Sequence, residues 1–182
     1  MKARSTGELI DALDGGRVKY LPFWGHHPRP DGRIGPSCLS QWWPARFTVD
    51  GMEFRTAEHY MMWRKAMLFD DGATAEKILD ANHPGEAKTL GRSIRGFAED
   101  RWAAHRFGIV VAGGLAKFGQ HVELRQFLVN TGDRVLVEAS PVDRIWGVGL
   151  TADDPRIEDP VRWAGLNLLG FALMEVREVL RA

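Results

Sequence analysis

The chain has 182 residues, enough for one domain with a substantial core and too few for two comfortable ones. Its 24 Lys and Arg residues balance 24 Asp and Glu residues, so no overall basic charge indicates a nucleic-acid or membrane partner. The single cysteine excludes an internal disulfide. No apolar run approaches the roughly 20 residues of a membrane span, and the polar N-terminus lacks a signal-peptide core, so we expect a cytoplasmic protein.

The N-terminal part of the chain predicts a helix, a short strand and a long ordered loop. Residues 5–14 have a helical pattern that Gly15 ends. The segment 19–44 is rich in Pro, Gly and aromatic residues without a sustained period, which is typical of a short strand followed by a functional loop. Two β-rich runs then flank Asp50-Gly51, a pair that favours a type I′ hairpin.

The rest of the chain is predicted to be mostly helical. Thr56 is a candidate N-cap for a helix that reaches about Phe69. Further helical patterns cover residues 72–81, 84–91, 99–118 (interrupted by Gly113-Gly114), 121–132 and 166–180, with a lone strand candidate at 134–139. The expected fold is α+β, predominantly α-helical: one compact domain over 1–182 with its core at about 20–180, a helical extension at 1–18 and a small antiparallel β element.

Two ionisable residues share one face of the helix that follows Thr56. Glu58 and Lys65 are seven positions apart, which places them nearly in line and about 10.5 Å apart along the axis. Most neighbouring positions are apolar, and a buried acid or amine must find a partner or shift its pKa, so both are candidates for acid-base or nucleophilic chemistry. The alternative is that Glu58 serves the helix N-terminus and Lys65 extends to solvent.

Common cofactor and metal motifs are missing from the sequence. The six histidines show no pairing typical of a metal site, and no dinucleotide, P-loop or GxSxG motif occurs. Cys38 is better explained as a structural thiol than as a nucleophile, because nothing local would lower its pKa. We therefore expect neither a metal nor a cofactor.

Three further segments leave two interpretations open. Arg92 lies in a basic, glycine-containing stretch that suits either phosphate binding or helix C-capping by Gly91. Asp143 and Trp146 precede flexible glycines, in either a binding loop or a turn that closes the core. Asn167, at the start of the last helix, must cap or hydrogen-bond something.

The order of these segments resembles the motif order of the NADAR family. The similar stretches are, in sequence, TAEHYMMWRKAMLF, PGEAKTLGR, Trp102, KFGQ, LVEASPVDRIWGVGL and GLNLLGFALMEVR. The resemblance extends from about Tyr20 to Arg177. One departure is Ser40-Gln41-Trp42, where many members have Ser-Asn-Phe, and it leaves the role of Gln41 open.

The resemblance implies an enzyme that cleaves the N-glycosidic bond between a base and a ribose phosphate. One branch of the family removes ADP-ribose from guanine in nucleic acid, and another hydrolyses early intermediates of riboflavin synthesis. The long, arginine-containing loop favours ADP-ribose as the substrate. The resemblance also admits ADP-ribosylated nucleic acid as a partner and a toxin–antitoxin setting. The remaining alternative is an ADP-ribose or nucleotide binding module without turnover.

Residue by residue, the resemblance assigns catalytic roles to Glu58, Lys65 and Asp143. Glu58 and Asp143 would stabilise positive charge on the sugar and assist departure of the base. Lys65 would form a Schiff base with the opened ribose. The residues implied in substrate binding are Phe23, Gly25, Ser40, Trp43, His59, Gly91, Arg92, Trp102, Lys117, Trp146, Gly147 and Asn167.

Overall fold

The computed structural model describes residues 3–13, 16 and 18–182. In chain order its main elements are α1 (Thr6–Leu13), β1 (Tyr20–Phe23), β2 (Phe47–Val49), β3 (Met52–Phe54), α2 (Ala57–Leu68), α3 (Gly72–Asp80), α4 (Pro84–Arg92), α5 (Glu99–Gln120), α6 (Val122–Asn130), β4 (Val135–Glu138) and α7 (Leu168–Arg181). Short 3₁₀ turns cover Pro36–Leu39 and Pro160–Arg162. The predicted helix stop at Gly15 lies outside the described residues. The predicted class, α+β and predominantly helical with a small antiparallel element, is confirmed.

The chain divides into two compact units. One comprises Met1–Ser40 together with Val122–Ala182, and the other is the continuous segment Gln41–His121. Across the described part of the chain, no helix has both the length and the apolar character needed to cross a membrane.

A parallel strand pair forms the centre of the first unit. β1 and β4 pair in register, with Tyr20 opposite Val135 and Phe23 opposite Glu138. Helix α7 packs on β4, and α6 packs on α7. The first three residues of β4 are completely buried, as is typical of a strand in a parallel sheet. The prediction of a lone strand was therefore wrong, because β4 finds its partner more than a hundred residues earlier in the chain.

Helix α2 is the centre of the second unit. Helices α3, α4 and α5 all pack against it, so that most of its residues are buried. The predicted cap is confirmed, since the Thr56 hydroxyl accepts a hydrogen bond from the His59 backbone N–H. The predicted hairpin is confirmed too: Asp50 and Gly51 have φ values of 50° and 79°, as a type I′ turn requires.

Two glycine predictions were wrong for the same physical reason. Gly113 does not interrupt α5, which is one continuous helix; a Cβ at this position would lie 2.6 Å from Cδ1 of Tyr60. Gly91 does not follow the end of α4 but lies within the helix, and a Cβ there would collide with the Met62 side chain. In both places glycine allows a neighbouring helix to approach α2 closely.

Candidate active site

Glu58 lies in the first turn of α2, where its side chain is 3% exposed. Its backbone N–H donates to the carbonyl oxygen of Gln41 at 3.0 Å. Gln41 thus has a structural role, because it accepts from one of the N–H groups that a helix leaves unsatisfied at its start. The positive end of the helix dipole favours the Glu58 carboxylate in this position.

Lys65 lies two turns further along α2, and its ammonium group is enclosed on several sides. Nζ donates to the carbonyl oxygen of Gly91 at 2.8 Å and lies 4.2 Å from the ring centroid of Phe97 and 5.5 Å from that of Trp102. The amine therefore ends among α4, α5 and the loop between them, and the residue is half-buried.

This enclosure changes the acidity of Lys65. Burial lowers the pKa of its ammonium group below the ordinary value, because removal of water penalises the charged form. The charge of Arg92 lowers the pKa further, while Glu99 and Glu58 act in the opposite direction. A larger share of Lys65 is consequently the neutral, nucleophilic amine than in an exposed lysine.

The second unit brings five of the predicted site residues together: Glu58, Lys65, Gly91, Arg92 and Trp102. Arg92 is the last residue of α4 and is exposed, so its guanidinium is accessible to an anion. Trp102 is 6% exposed, and its ring lies against the lysine. Gly91 contributes its carbonyl oxygen to the hydrogen bond with Lys65.

Sequence reasoning missed Phe97, which lies in the loop between α4 and α5. Its ring is 43% exposed and is the aromatic group nearest to the Lys65 ammonium in this loop. An aromatic residue directly after Gly96, in the short connection between two predicted helices, was the available signal.

Three residues of the second unit that the resemblance assigns to substrate binding are buried in this structure, and their contact with substrate stays a prediction. His59 is 1% exposed, and its two ring nitrogens lie 2.8 Å from the Thr56 hydroxyl and 3.1 Å from the carbonyl oxygen of Ala81. Burial lowers the pKa of His59, which favours the neutral ring in this position. Trp43 and Lys117 are 6% and 1% exposed. All three side chains are part of the core.

Asp143, in the first unit, organises the loop that follows β4. Its Oδ1 atom accepts hydrogen bonds from the backbone N–H groups of Ile145 at 2.9 Å and Trp146 at 2.8 Å. Its own N–H donates to the Ser140 hydroxyl at 3.2 Å. Side-chain acceptance of N–H groups two and three residues ahead is characteristic of an Asx turn. Asp143 and Trp146 are both half-buried.

The same loop is held closely against the segment that precedes α7. Backbone N–H groups of residues 164 and 166–169 donate to carbonyl groups of residues 144–148. Gly147 has no space for a side chain, because a Cβ would lie 2.8 Å from the Glu138 carbonyl oxygen and 2.9 Å from that of Asp143. The loop is therefore a fixed turn, and Gly147 serves its close packing.

Asn167 has a structural role in this structure, and its substrate contact stays a prediction. It is completely buried, its Nδ2 donates to the Leu136 carbonyl oxygen at 2.9 Å, and its Oδ1 accepts from the Glu138 N–H at 3.0 Å. Its φ of 53° is left-handed, a conformation that asparagine tolerates better than most residues. The side chain fastens the start of α7 to β4 and does not cap its own helix.

The carboxyl end of β1 presents an exposed ring that the sequence analysis did not select. Phe23, predicted to bind substrate, is only 2% exposed, whereas Trp24 beside it is 61% exposed. Substrate contact by Phe23 stays a prediction, and Trp24 is the ring that is accessible at this strand end. Gly25 follows with a φ of 77°, and Ser40 is half-buried at the end of the 3₁₀ turn. Loops after the carboxyl ends of parallel strands are frequent ligand sites.

Metal chemistry has no visible support within the described ranges, where no cluster of three or more His, Cys, Asp or Glu side chains has the proximity to hold an ion. The remaining chemistry of the second unit is an enclosed amine, a buried carboxylate and an exposed guanidinium.

Comparison with known proteins identifies the family of the chain. A family model described as the NADAR domain matches residues 22–181. The chain belongs to the NADAR family. Among curated NADAR-type relatives, "N-glycosidase R617" of Acanthamoeba polyphaga mimivirus is 41% identical over 165 residues, covering 88% of this chain and 95% of the viral protein. "N-glycosidase YbiA" of Escherichia coli is 33% identical over 138 residues, covering 76% of each chain.

The NADAR fold is also recognised at the level of structure. The NMR structure of the E. coli protein YbiA matches this chain with a TM-score of 0.68 and 28% sequence identity, covering 91% of this chain and 86% of YbiA. The agreement between sequence and structure comparisons means that the helical arrangement around α2 belongs to a known NADAR architecture.

Proposed function

We propose that this NADAR protein is an N-glycosidase that hydrolyses the bond between a base and the ribose of ADP-ribose, with guanine as the base that leaves. The observation that carries the proposal is the enclosed amine of Lys65, which shares a helix with the buried carboxylate of Glu58. The names of the two curated relatives support cleavage of an N-glycosidic bond. ADP-ribose is the finer part of the proposal and depends on the family resemblance.

The buried carboxylate suits the bond-breaking step. As the bond between C1′ and the base nitrogen breaks, its electron pair leaves with the base and positive charge develops on the ribose. A carboxylate close to the sugar stabilises that charge, and it does so more strongly in a site with little water. In hydrolysis, the oxygen of water becomes bonded to C1′ and a proton goes to the base. We assign the charge-stabilising role to Glu58.

The amine of Lys65 suits a covalent step on the same carbon. When the C1′–O4′ bond of the ribose opens, C1′ stays joined to the base nitrogen as an iminium; the neutral amine adds to C1′, and the base leaves with a proton, which yields a lysine imine. Addition of water to the imine restores both the lysine and the sugar. The lowered pKa of Lys65 supports this role, because only the unprotonated amine is nucleophilic.

Arg92 supplies the charge that a phosphorylated substrate requires. Its guanidinium is exposed at the end of α4, and its charge acts on Lys65. A guanidinium binds phosphate oxygens through paired hydrogen bonds, so we assign Arg92 to a phosphate of the substrate. The role of Asp143 as a second catalytic acid stays a prediction.

The test is release of base, measured by mass spectrometry. The full chain is incubated with DNA carrying ADP-ribosylated guanine and, separately, with a phosphoribosylamino-pyrimidine intermediate of riboflavin synthesis. Release of ADP-ribose from the DNA substrate supports the proposal, and release from the pyrimidine alone would reassign the substrate. Binding of ADP-ribose without turnover of either compound would show a binding module and overturn the enzymatic proposal.

Two variants separate the proposed roles. Glu58→Gln retains the shape of the side chain and removes its charge, so we expect turnover to fall by at least a hundredfold. Lys65→Met removes the amine, and we expect borohydride trapping of the sugar to be lost. If Lys65→Met retained full turnover, the imine step would be removed from the proposal.

A further inference from the structure

We propose that Phe97 is a positioning residue of the lysine site, whose ring covers the Lys65 amine and excludes water from that side. This inference rests on the proposed function, because the nucleophilic role of the Lys65 amine comes from there. Phe97 belongs to the connection between α4 and α5 and is remote from α2 in sequence. Phe97 can therefore act on Lys65 only when the second unit is folded.

The geometry fixes both the ring and the amine. Nζ of Lys65 lies 4.2 Å from the ring centroid of Phe97, closer than its 5.5 Å distance to the centroid of Trp102. The hydrogen bond to the Gly91 carbonyl oxygen holds the amine in this direction. On the Phe97 side, the ring of Phe69 lies 5.3 Å away, centroid to centroid, so Phe97 is itself supported by the end of α2.

The loop that carries Phe97 is anchored by a separate ion pair. Asp71 is 1% exposed and accepts hydrogen bonds from the Arg95 backbone N–H at 3.0 Å and from the Arg95 guanidinium at 2.9 Å. Gly96 then takes a φ of 68°, a left-handed conformation that glycine adopts without steric cost. The position of the ring is thus determined two residues upstream, by contacts that do not involve the lysine.

A phenyl ring acts on a neighbouring ammonium in two opposite ways. Its π face attracts the cation and favours the protonated form, by about 0.5–1 kcal/mol at an exposed site. Its bulk removes water and favours the neutral form. Burial is the largest cause of the lowered pKa of Lys65, so we assign the dominant effect of Phe97 to exclusion of water.

Two substitutions distinguish these effects. Phe97→Leu keeps an apolar cover and removes the π face, so the pKa of Lys65 should stay low or fall further. Phe97→Ala admits water to the amine, so the pKa should rise by about one unit toward the ordinary lysine value. The charged groups that act on Lys65 from α2, α4 and α5 are Glu58, Arg92 and Glu99, and none of them changes in either variant.

The experiment is a titration of Lys65 in the full chain without substrate. Lysines are dimethylated with ¹³C-formaldehyde, the Lys65 resonance is assigned by its loss in Lys65→Met, and its chemical shift is followed by NMR from pH 6 to pH 11. Met67→Ala is the matched control, because Met67 is 45% exposed on the same helix but on another face. The control should titrate as the original chain does.

A raised pKa in Phe97→Ala together with a low pKa in Phe97→Leu supports the proposal. An unchanged pKa in Phe97→Ala overturns it, and so does an equal rise in both variants, because an aliphatic cover would then not replace the ring. Since the titration needs no substrate, it remains decisive if no base is released by any variant. Failure of the proposed function and failure of the proposal for Phe97 are thereby separate results.

Discussion

Gly113 of α5 lies directly against the aromatic ring of Tyr60 of α2. A Cβ at residue 113 would be 2.6 Å from Cδ1 and 3.0 Å from Cε1 of the ring. Tyr60 itself packs against Phe47 and Phe54 of the hairpin, so these two rings hold it on the side of the hairpin. The close approach of α5 to α2 therefore depends on glycine, which has no side chain, at position 113.

We expect Gly113→Ala to destabilise the protein by about 1–3 kcal/mol, because the added methyl group overpacks the contact with Tyr60. Gly108→Ala is the matched control in the same helix, since a Cβ there meets nothing within 4 Å. That substitution should raise stability by up to about 1 kcal/mol through helix propensity. Chemical denaturation measures both values, and equal effects at the two positions would contradict the close contact.

Asn167→Ala should cost about 2–4 kcal/mol of unfolding free energy. The substitution leaves the Leu136 carbonyl and the Glu138 N–H unsatisfied in a buried place and gives alanine a left-handed backbone. Thermal unfolding followed by circular dichroism provides the measurement. A fully stable variant that had lost only substrate affinity would support the binding role that the sequence indicated.

Asp143→Asn separates the structural role of this residue from its predicted catalytic role. The asparagine oxygen still accepts from the N–H groups of Ile145 and Trp146, so we expect the melting temperature to change little. If the negative charge takes part in catalysis, kcat falls at least tenfold. Unchanged turnover would limit Asp143 to the organisation of its loop.

The ion pair between Asp71 and Arg95 predicts a specific loss of stability in acid. Hydrogen bonds from Arg95, and then from Thr74, hold the pKa of the Asp71 carboxyl well below its usual range. A group with a lowered folded pKa stabilises the folded state above its unfolded pKa, near 4, and this contribution is lost as the pH falls toward the folded value. Between pH 5 and pH 2 we therefore expect Asp71→Asn to lose less stability than the original chain. Parallel denaturation curves at each pH test this, and identical pH slopes would exclude the contribution of Asp71.

Local signals in the sequence predicted the elements that depend on neighbouring residues. Thr56 as a helix cap and Asp50-Gly51 as a hairpin turn require only a few adjacent positions, and both are correct. The partner of β4 was not predictable in this way, because strand pairing across a long separation leaves no periodic pattern at either strand.

The candidate site was predictable in part. The spacing of Glu58 and Lys65 placed them on one face of a helix, and the structure adds the enclosure of the amine by α4 and α5. For Phe23 and His59, the family pattern could not distinguish a side chain that contacts a ligand from one that fills the core. The structure shows that both are buried. The exposed rings of Phe97 and Trp24 could not be selected from the sequence, because the exposure of an aromatic ring depends on the residues that pack around it in the fold.

The pairing of β1 with β4 also sets an order for folding. Gln41–His121 is a continuous stretch that forms a compact unit of its own, so we expect it to begin folding as soon as it has been synthesised. The pairing of Tyr20 with Val135 requires that β4 has been synthesised, and β4 is covered only after α7 has been made as well. Closing such a long loop costs conformational entropy before the strand contacts form and offset it. This cost slows the pairing of β1 with β4. During synthesis, β1 therefore stays without its partner strand while more than a hundred further residues are made, and it is open to incorrect pairing in that time.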